Sequence, residues 1–286
     1  MNLFGVRKPL FVLVAIILAV PAWGCAPDHG PALDREVDLS EWFEGVEPAD
    51  ATFVVLGGET GGTIRFNSAR AREGFLPAST FKIPNTLIAL ESGVADGPEF
   101  ALEWDGEVPE EGFWTEAWSQ DHTLASAMSG SVVWFYRELA RRIGADRMEP
   151  YLERFQYGNA TVGDDPDGFW LGGDLRISAE EQVRFLRDLY EGNLEVSEDV
   201  VEVLKDLIVL EDGAQYRISG KTGTSTVTAG RELAWLVGWV ETPGERVSYF
   251  ALNMEGEEVW ERWGPLEVRL DLARTLLREV GALPQD

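Results

Sequence analysis

The chain is poor in the residues that build disulfides and metal sites. It has one cysteine, Cys25, so a disulfide within the chain is impossible. Its two histidines, His29 and His122, are too few for a histidine-rich metal site, and one cysteine leaves no zinc-binding spacing. The sequence also has no glycine-rich phosphate loop, no heptad run and no internal repeat. We therefore expect no bound metal and no disulfide framework.

Positive charge is scarce as well. The chain has 24 lysines and arginines against 50 aspartates and glutamates, which gives a net charge of −26 at pH 7. Such acidity repels a polyanion, so a nucleic-acid partner is excluded. This negative charge indicates mainly a solvated, acidic surface and gives little information about the substrate.

Lysine is the rarest of the common charged residues. The chain has four, at Lys8, Lys82, Lys205 and Lys221, and uses arginine elsewhere. A buried lysine can lose its proton, whereas an arginine cannot. Lysines that stand inside motifs therefore indicate positions where a neutral amine is needed.

A serine and a lysine stand three residues apart in the segment 77–85, Pro-Ala-Ser-Thr-Phe-Lys-Ile-Pro-Asn. Residues at this spacing share one helix face, so the Ser79 hydroxyl and the Lys82 amine can form a hydrogen bond. Pro84 is tolerated only near a helix start, which places Ser79 at the positive end of the helix dipole. A serine needs a base to become a nucleophile, and a buried lysine can be that base. A Ser-x-x-Lys pair alone also fits an exposed helix start.

Residues 1–24 have the pattern of an export leader. Arg7 and Lys8 form a charged region, followed by an apolar run and a small-x-small cleavage signal. The apolar run is too short to be a permanent membrane span. We predict that the mature chain is exported to the periplasm, either soluble or anchored by a lipid on Cys25. Ordinary cleavage that leaves a free thiol on Cys25 is the alternative.

Strand and helix signals predict an α+β fold. Strand signals occupy both ends of the mature chain and helical signals fill its middle, where Ser178 and Glu181 form a capping box. The predicted strands are 51–56, 63–66, 216–221, 232–240 and 247–254, and the predicted helices include 132–143, 179–190 and 266–280. We expect a single domain, residues 25–286, with an antiparallel sheet flanked by helices and an all-helical lobe at about 80–200 inserted in an α/β lobe. The cleft between the lobes is the natural site.

Further motifs follow the serine-lysine pair in a fixed order. They are Ser131-Val132-Val133, Tyr157-Gly158-Asn159, Phe169-Trp170-Leu171 and Lys221-Thr222-Gly223. The set resembles the class D β-lactamases, or oxacillinases, within the penicillin-recognising serine enzymes, and no Ser-Asp-Asn motif occurs. The resemblance runs from about residue 66 to the last predicted helix. It implies a β-lactamase/transpeptidase-like fold and hydrolysis of β-lactam antibiotics through a serine acyl-enzyme.

The resemblance implies the catalytic roles. Ser79 would be the acylated nucleophile. Lys82 would be the general base as an N-carboxylated lysine formed with carbon dioxide, which is the only cofactor implied. Val133 and the indole N–H of Trp170 would form the carbamate pocket, although core packing is the alternative for a tryptophan.

The resemblance also implies a proton relay and a substrate-binding set. Ser131 and Lys221 would pass a proton to the β-lactam nitrogen, although each alone fits a helix cap or a strand end. The substrate-binding residues implied are Thr222, Gly223, Thr224 and Arg269. The backbone N–H groups of Ser79 and Thr224 would form the oxyanion hole. The substrate carboxylate needs a cation, for which Arg269 is expected and Arg262 is the competitor.

Two positions leave alternatives open. Tyr157-Gly158-Asn159 fits a tight loop held by Asn159 as well as it fits substrate contact. At Trp134 many family members have proline, and this difference would alter the wall of the lysine pocket.

Two other functions share the serine-lysine motifs. A transpeptidase would transfer its acyl group to an amine, but such enzymes generally have Ser-Asp-Asn or Ser-x-Asn where this chain has Ser131-Val132-Val133. A β-lactam sensor domain would only trap the drug, but sensors carry several membrane spans before the domain, whereas here we expect only a leader. We therefore predict a hydrolase with a small-molecule β-lactam as its partner, and the sequence makes no prediction of an oligomeric state.

Overall fold

Helices cover both faces of a seven-stranded sheet. The computed structural model describes residues 34–57, 62–109, 113–228, 230–244 and 246–285. The predicted leader 1–24 and Cys25 lie outside these residues. In the described part of the chain, no helix is long and apolar enough to cross a membrane.

The strands pair almost entirely antiparallel, as the sequence predicts. They are β1 (Arg35–Glu36), β2 (Ala51–Gly57), β3 (Thr63–Phe66), β4 (Ala101–Leu102), β5 (His122–Thr123), β6 (Val209–Asp212), β7 (Arg217–Thr228), β8 (Arg231–Thr242) and β9 (Arg246–Gly256). The main sheet has the order β1-β3-β2-β9-β8-β7-β6, in which only β1 and β3 are parallel. A separate antiparallel pair joins β4 and β5.

In the described part of the chain, seven helices lie between β3 and β6, and all but the first of them occupy the place of the predicted insertion. The helices are α1 (Ser68–Ala71), α2 (Lys82–Glu91), α3 (Leu124–Ser129), α4 (Val133–Ile143), α5 (Ala145–Arg154), α6 (Ala179–Tyr190), α7 (Glu198–Leu207), α8 (Val259–Trp263) and α9 (Leu266–Glu279). Short 3-10 turns occupy Ser40–Trp42, Pro48–Asp50, Ala78–Phe81 and Glu116–Trp118. One helix of the insertion, α6, packs on β2, β8 and β9, and so belongs to the sheet rather than to a separate lobe.

Local sequence explains why α6 begins where it does. The Ser178 hydroxyl accepts a hydrogen bond from the Glu181 N–H at 3.2 Å, and the Glu181 carboxylate accepts one from the Ser178 N–H at 2.8 Å. This reciprocal pair satisfies two backbone donors that a helix start leaves free. The helix then buries Val183 and Leu186 on its apolar face.

The sheet separates two apolar cores. Along β8, Trp235 and Val237 face a core that continues into the inserted helices, whereas Ala234 and Leu236 face a second core beneath α9. Alternate residues of a strand point to opposite faces, and here both faces are buried. The inserted helices and the sheet thus share one core, and this packing holds the 3-10 turn Ala78–Phe81, which leads into α2, against β7.

Candidate active site

The nucleophile candidate lies on a tight turn at the start of α2. Ser79 is part of the 3-10 turn Ala78–Phe81, which leads directly into the helix. Ala78 has a φ of +48°, a conformation that costs a non-glycine residue energy, and its N–H donates to the Trp170 carbonyl at 3.0 Å. The Thr80 hydroxyl donates to the Pro77 carbonyl at 2.7 Å. These contacts hold Ser79 partly exposed beside the cleft.

Lys82 lies directly beneath Ser79. Its side chain is fully buried, and 2.8 Å separates its Nζ from the Ser79 Oγ. Burial lowers the pKa of Lys82 well below its ordinary value, and the positive charge of Lys221 lowers it further. Both effects favour the neutral amine, the form that can accept a proton from a hydroxyl.

Ser131 and Lys221 form a second serine-lysine pair. Ser131 lies in the turn between α3 and α4 with a φ of +53°. Lys221, on β7, donates from its Nζ to the Ser131 Oγ at 3.0 Å and to the Thr222 carbonyl at 3.1 Å. Burial lowers the pKa of Lys221 to about 7, and the charge of Arg269 contributes. An amine with this pKa can release or take up a proton near neutral pH.

A glycine lets β7 approach the turn that carries the nucleophile. A Cβ atom at Gly223 would lie 2.8 Å from the Pro77 carbonyl oxygen and 3.2 Å from the Thr80 backbone nitrogen. Real Cβ atoms almost never come within 3.0 Å of a backbone atom. Glycine at this position therefore allows Thr224 to lie beside Ser79 in one cleft.

The structure brings most of the predicted residues to this cleft, which has a volume of about 1660 Å³. Its lining includes Ser79, Ser131, Val133, Thr222, Gly223, Thr224 and Arg269. Lys82 and Lys221 are buried and reach the cleft through their bonds to Ser79 and Ser131.

The two arginine candidates differ in position. Arg269 is 3% exposed, and its guanidinium donates to the carbonyls of Gly223 at 3.0 Å and Trp235 at 2.8 Å. Burial lowers the pKa of Arg269 to about 10, so it stays charged at neutral pH. Arg262 has a side chain 48% exposed, pairs with Glu44 and is not among the described residues that line the cleft.

Trp170 is buried behind the nucleophile turn and does not line the cleft. Its ring stacks on Phe81, with centroids 5.0 Å apart and planes at 22°. Its indole N–H is buried and has no acceptor among the described residues. Three other indole N–H groups share that state, those of Trp42, Trp239 and Trp263. Trp170 differs from them because its ring stacks on the residue before Lys82.

The segment Tyr157-Gly158-Asn159 holds its own loop together. The Asn159 amide donates to the Asp174 carbonyl at 2.8 Å and accepts from the Arg176 N–H at 3.0 Å. Gly158 has a φ of +57°, and a Cβ there would lie 1.9 Å from the Arg176 carbonyl oxygen. These contacts close a loop that includes Trp170, and none of the three residues is among the described residues of the cleft lining.

An aromatic wall was missed by sequence reasoning. It consists of Phe113, Trp114, Trp118, Trp134 and Trp260, all of which line the cleft. These residues come from three parts of the chain, the segment 113–118, Trp134 and Trp260, so no single sequence motif predicts the wall. The count of eleven tryptophans is the only signal that sequence alone offers.

Comparison with known proteins agrees with this geometry. The family model for the penicillin binding protein transpeptidase domain matches residues 42–277. The chain is 45% identical to β-lactamase OXA-48 of Klebsiella pneumoniae over 189 residues, which are 66% of this chain and 69% of that protein. The crystal structure of a class D β-lactamase from Sebaldella termitidis superposes with a TM-score of 0.80 at 32% identity and covers 88% of this chain and 99% of its own.

A receptor domain is similar as well. The C-terminal domain of the Bacillus licheniformis BlaR penicillin-receptor superposes with a TM-score of 0.76 at 31% identity, covering 88% of this chain and 98% of its own. The fold and the serine-lysine pairs thus place the chain among the penicillin-recognising serine enzymes. Within them it belongs to the class D β-lactamases, which confirms the family and the α+β fold expected from the sequence.

The contacts of Gly158 predict that its role is structural. Replacing Gly158 with alanine should destabilise the protein by about 1–3 kcal/mol, because it adds a clash and a strained φ. Urea unfolding measures the change. Gly172→Ala is the matched control, since it has an ordinary φ and no atom within 4 Å of the added Cβ. Unchanged stability together with a raised KM in Gly158→Ala would instead indicate substrate contact.

Proposed function

We propose that Ser79 is the nucleophile with which this class D β-lactamase opens the β-lactam ring. The observation that carries the proposal is the 2.8 Å contact between the Ser79 Oγ and the buried Lys82 Nζ beside the cleft. A buried amine of depressed pKa can accept the serine proton, which a solvated lysine at neutral pH cannot do.

Acylation needs two proton transfers, and each serine-lysine pair carries out one of them. Ser79 loses its proton to the Lys82 side chain while its Oγ bonds to the lactam carbonyl carbon. The ring C–N bond then breaks, and Lys221 supplies a proton to the leaving nitrogen through the Ser131 hydroxyl. Water hydrolyses the resulting ester, with its OH going to the acyl carbon and its other proton to the Ser79 Oγ, and transfer of the extra proton from Lys82 to Lys221 restores both lysines. The pKa of Lys221, about 7, suits a group that must give and regain a proton near neutral pH.

Substrate binding would use the part of the cleft along β7. The backbone N–H groups of Ser79 and Thr224 would stabilise the negative charge that develops on the carbonyl oxygen. The substrate carboxylate would bind Arg269 with help from Thr222. Both residues line the cleft, and the guanidinium is already oriented by the carbonyl of Gly223.

The residues around Lys82 fit the N-carboxylated lysine that the family implies. Carbon dioxide adds only to a neutral amine, and burial favours that form at Lys82. The unpartnered indole N–H of Trp170 would donate to the added carboxyl group, and Val133 would contribute to the apolar surroundings. When present, this group supplies a carboxylate-type general base.

The likeness to the BlaR receptor domain supports a second candidate, a sensor that is acylated once and does not turn over. Turnover separates the two functions, because a hydrolase and a trap share the same acylation chemistry. We also propose that residues 1–24 direct export and that Cys25 begins the mature chain, with or without a lipid.

Replacement of Ser79 with alanine should abolish both hydrolysis and covalent labelling by a penicillin, because it removes one oxygen and little packing. Intact-protein mass spectrometry follows the label, and Ser129→Ala, an exposed serine two residues from Ser131, should label normally. Wild-type protein should turn over many substrate molecules per site. Labelling of Ser79→Ala would exclude this nucleophile, and a single stoichiometric burst would indicate the sensor. The same spectra give the mass of the mature N-terminus and of any lipid on Cys25.

Loss of Arg269 should weaken substrate binding more than turnover. Arg269→Ala is expected to lower kcat/KM by about 10- to 100-fold, the range of a charge-assisted hydrogen bond, mainly through KM. Steady-state kinetics with a penicillin measures the split, and a thermal melt reports any loss of fold. Arg262→Ala is the matched control and should have little effect. If the KM effect appears in Arg262→Ala instead, Arg262 is the carboxylate anchor.

Carboxylation of Lys82 should be visible by carbon-13 NMR after exposure to labelled bicarbonate. A carbamate resonance should be present at neutral pH, vanish in Lys82→Ala and persist in Lys205→Ala, whose lysine is on the surface. Lowering the pH through the pKa of Lys82 protonates the amine, so resonance and activity should fall together. Bicarbonate should restore activity. Trp170→Phe should increase the bicarbonate requirement because the added carboxyl group loses a donor. An active enzyme without the resonance would contradict the modification.

A further inference from the structure

The indole of Trp134 has a defined hydrogen-bond partner. The Trp134 Nε1 donates to the Trp118 carbonyl at 2.9 Å. Trp134 is the second residue of α4 and follows Ser131 by three positions. Two tryptophans of the aromatic wall are therefore bonded to each other beside the segment that carries Ser131.

Trp118 extends this contact toward the catalytic serine. It is 5% exposed and ends the 3-10 turn Glu116–Trp118. Its own Nε1 donates to the Gly130 carbonyl at 2.9 Å. Gly130 precedes Ser131, so this carbonyl belongs to the peptide unit that joins the two residues.

The conformation of Ser131 explains why that peptide unit needs to be held. A φ of +53° is unfavourable for serine, and such a residue keeps it only when its surroundings impose it. In the same peptide unit, the Ser131 N–H donates to the Met128 carbonyl at 3.2 Å, and in the next one the Val132 N–H donates to the Ala127 carbonyl at 2.9 Å. The Gly130 carbonyl is held by the Trp118 indole. A rotation of this peptide unit would move the Ser131 hydroxyl away from the Lys221 amine, which now lies 3.0 Å from it.

We infer that Trp134 and Trp118 are positioning residues for proton delivery. Their two indole N–H groups form two consecutive hydrogen bonds, from Trp134 to the Trp118 carbonyl and from Trp118 to the Gly130 carbonyl. We call this pair of bonds the relay, and it moves no proton. The relay holds Ser131 where Lys221 can reach it. The inference rests on the proposed role of Ser131 in acylation.

A different role is available to the same side chains. Both tryptophans line the cleft, and Trp134 also lies against His122, with ring centroids 5.9 Å apart. If the two rings only contacted the substrate, their contribution would depend on ring area, and replacing them would change KM. The relay depends on the indole N–H and should change the rate of acylation. Phenylalanine removes the N–H and keeps an aromatic ring, so it separates the two roles.

The test compares acylation rates of Trp134→Phe and Trp118→Phe, measured by rapid-quench mass spectrometry with a penicillin. Each should acylate about three- to ten-fold more slowly, as expected for one hydrogen bond between neutral groups. Trp134→Phe should leave KM and the melting temperature near wild type. Trp104→Phe is the matched control: it also loses an indole N–H that donates to a backbone carbonyl, that of Glu107 at 3.2 Å, but it is not among the described residues lining the cleft.

A double-mutant cycle shows whether the effect passes through Ser131. Adding Trp134→Phe to Ser131→Ala should slow acylation no further, because the hydroxyl that the relay positions is already absent. Equal slowing in both backgrounds, or no slowing in either, would overturn the relay. If Ser131→Ala itself acylates at the wild-type rate, the proposed role of Ser131 fails and the relay fails with it. If Ser131→Ala is slow but Trp134→Phe is not, only the relay is wrong.

Discussion

The amine of Lys82 lies where a charged ammonium group would lose its hydration. Phe81, next in the chain, stacks on Trp170 and meets Tyr157 edge to face at 5.8 Å, while the Tyr136 ring centroid lies 5.2 Å from the Lys82 Nζ. An amine in such surroundings is favoured in its neutral form. Proton acceptance from Ser79 and carboxylation by carbon dioxide both need that form. The aromatic packing behind α2 therefore supports the proposed chemistry of Lys82 as well as the core.

Three basic side chains influence one another beside the cleft, in a chain that is otherwise strongly acidic. The charge of Arg269 lowers the pKa of Lys221, and the charge of Lys221 lowers the pKa of Lys82. In each lysine, burial is the larger cause. Arg269 itself stays protonated at neutral pH, whereas burial lowers the pKa of Lys82 well below its ordinary value and brings the pKa of Lys221 to about 7. This division matches the use of lysine at two motif positions, 82 and 221, and of arginine at position 269.

Short-range signals in the sequence predicted the elements that are set locally. The capping box of Ser178 and Glu181 defines the start of α6, and the spacing of Ser79 and Lys82 places both side chains on one helical turn. Both features depend on contacts within four residues. In contrast, β1, β4 and β5 have two residues each, and pairing with distant segments defines them. A strand of two residues is too short for any local sequence pattern to predict.

Other parts of the site depend on contacts between distant segments. From the sequence, Arg269 and Arg262 are both candidates for binding the substrate carboxylate, because the loop before α9 does not fix which of them reaches the cleft. Only the fold shows that Arg269 is buried against the Gly223 carbonyl and that Arg262 pairs with Glu44 on the surface. The packing of α6 on the sheet likewise depends on the core that the inserted helices share with the sheet. The order of strand and helix signals along the sequence does not show this shared core.

Backbone strain occurs at two points beside the reacting groups, and a tryptophan is bonded at each. Ala78, at a φ of +48°, donates its N–H to the carbonyl of Trp170. Ser131, at +53°, follows the peptide carbonyl that accepts the indole N–H of Trp118. Unfavourable φ values persist only when surrounding contacts outweigh their cost. Here the contacts come from the backbone carbonyl of Trp170 and the indole of Trp118, two buried residues. The hydroxyls of Ser79 and Ser131, the proposed reacting groups, are thus held by contacts within the protein rather than by the substrate.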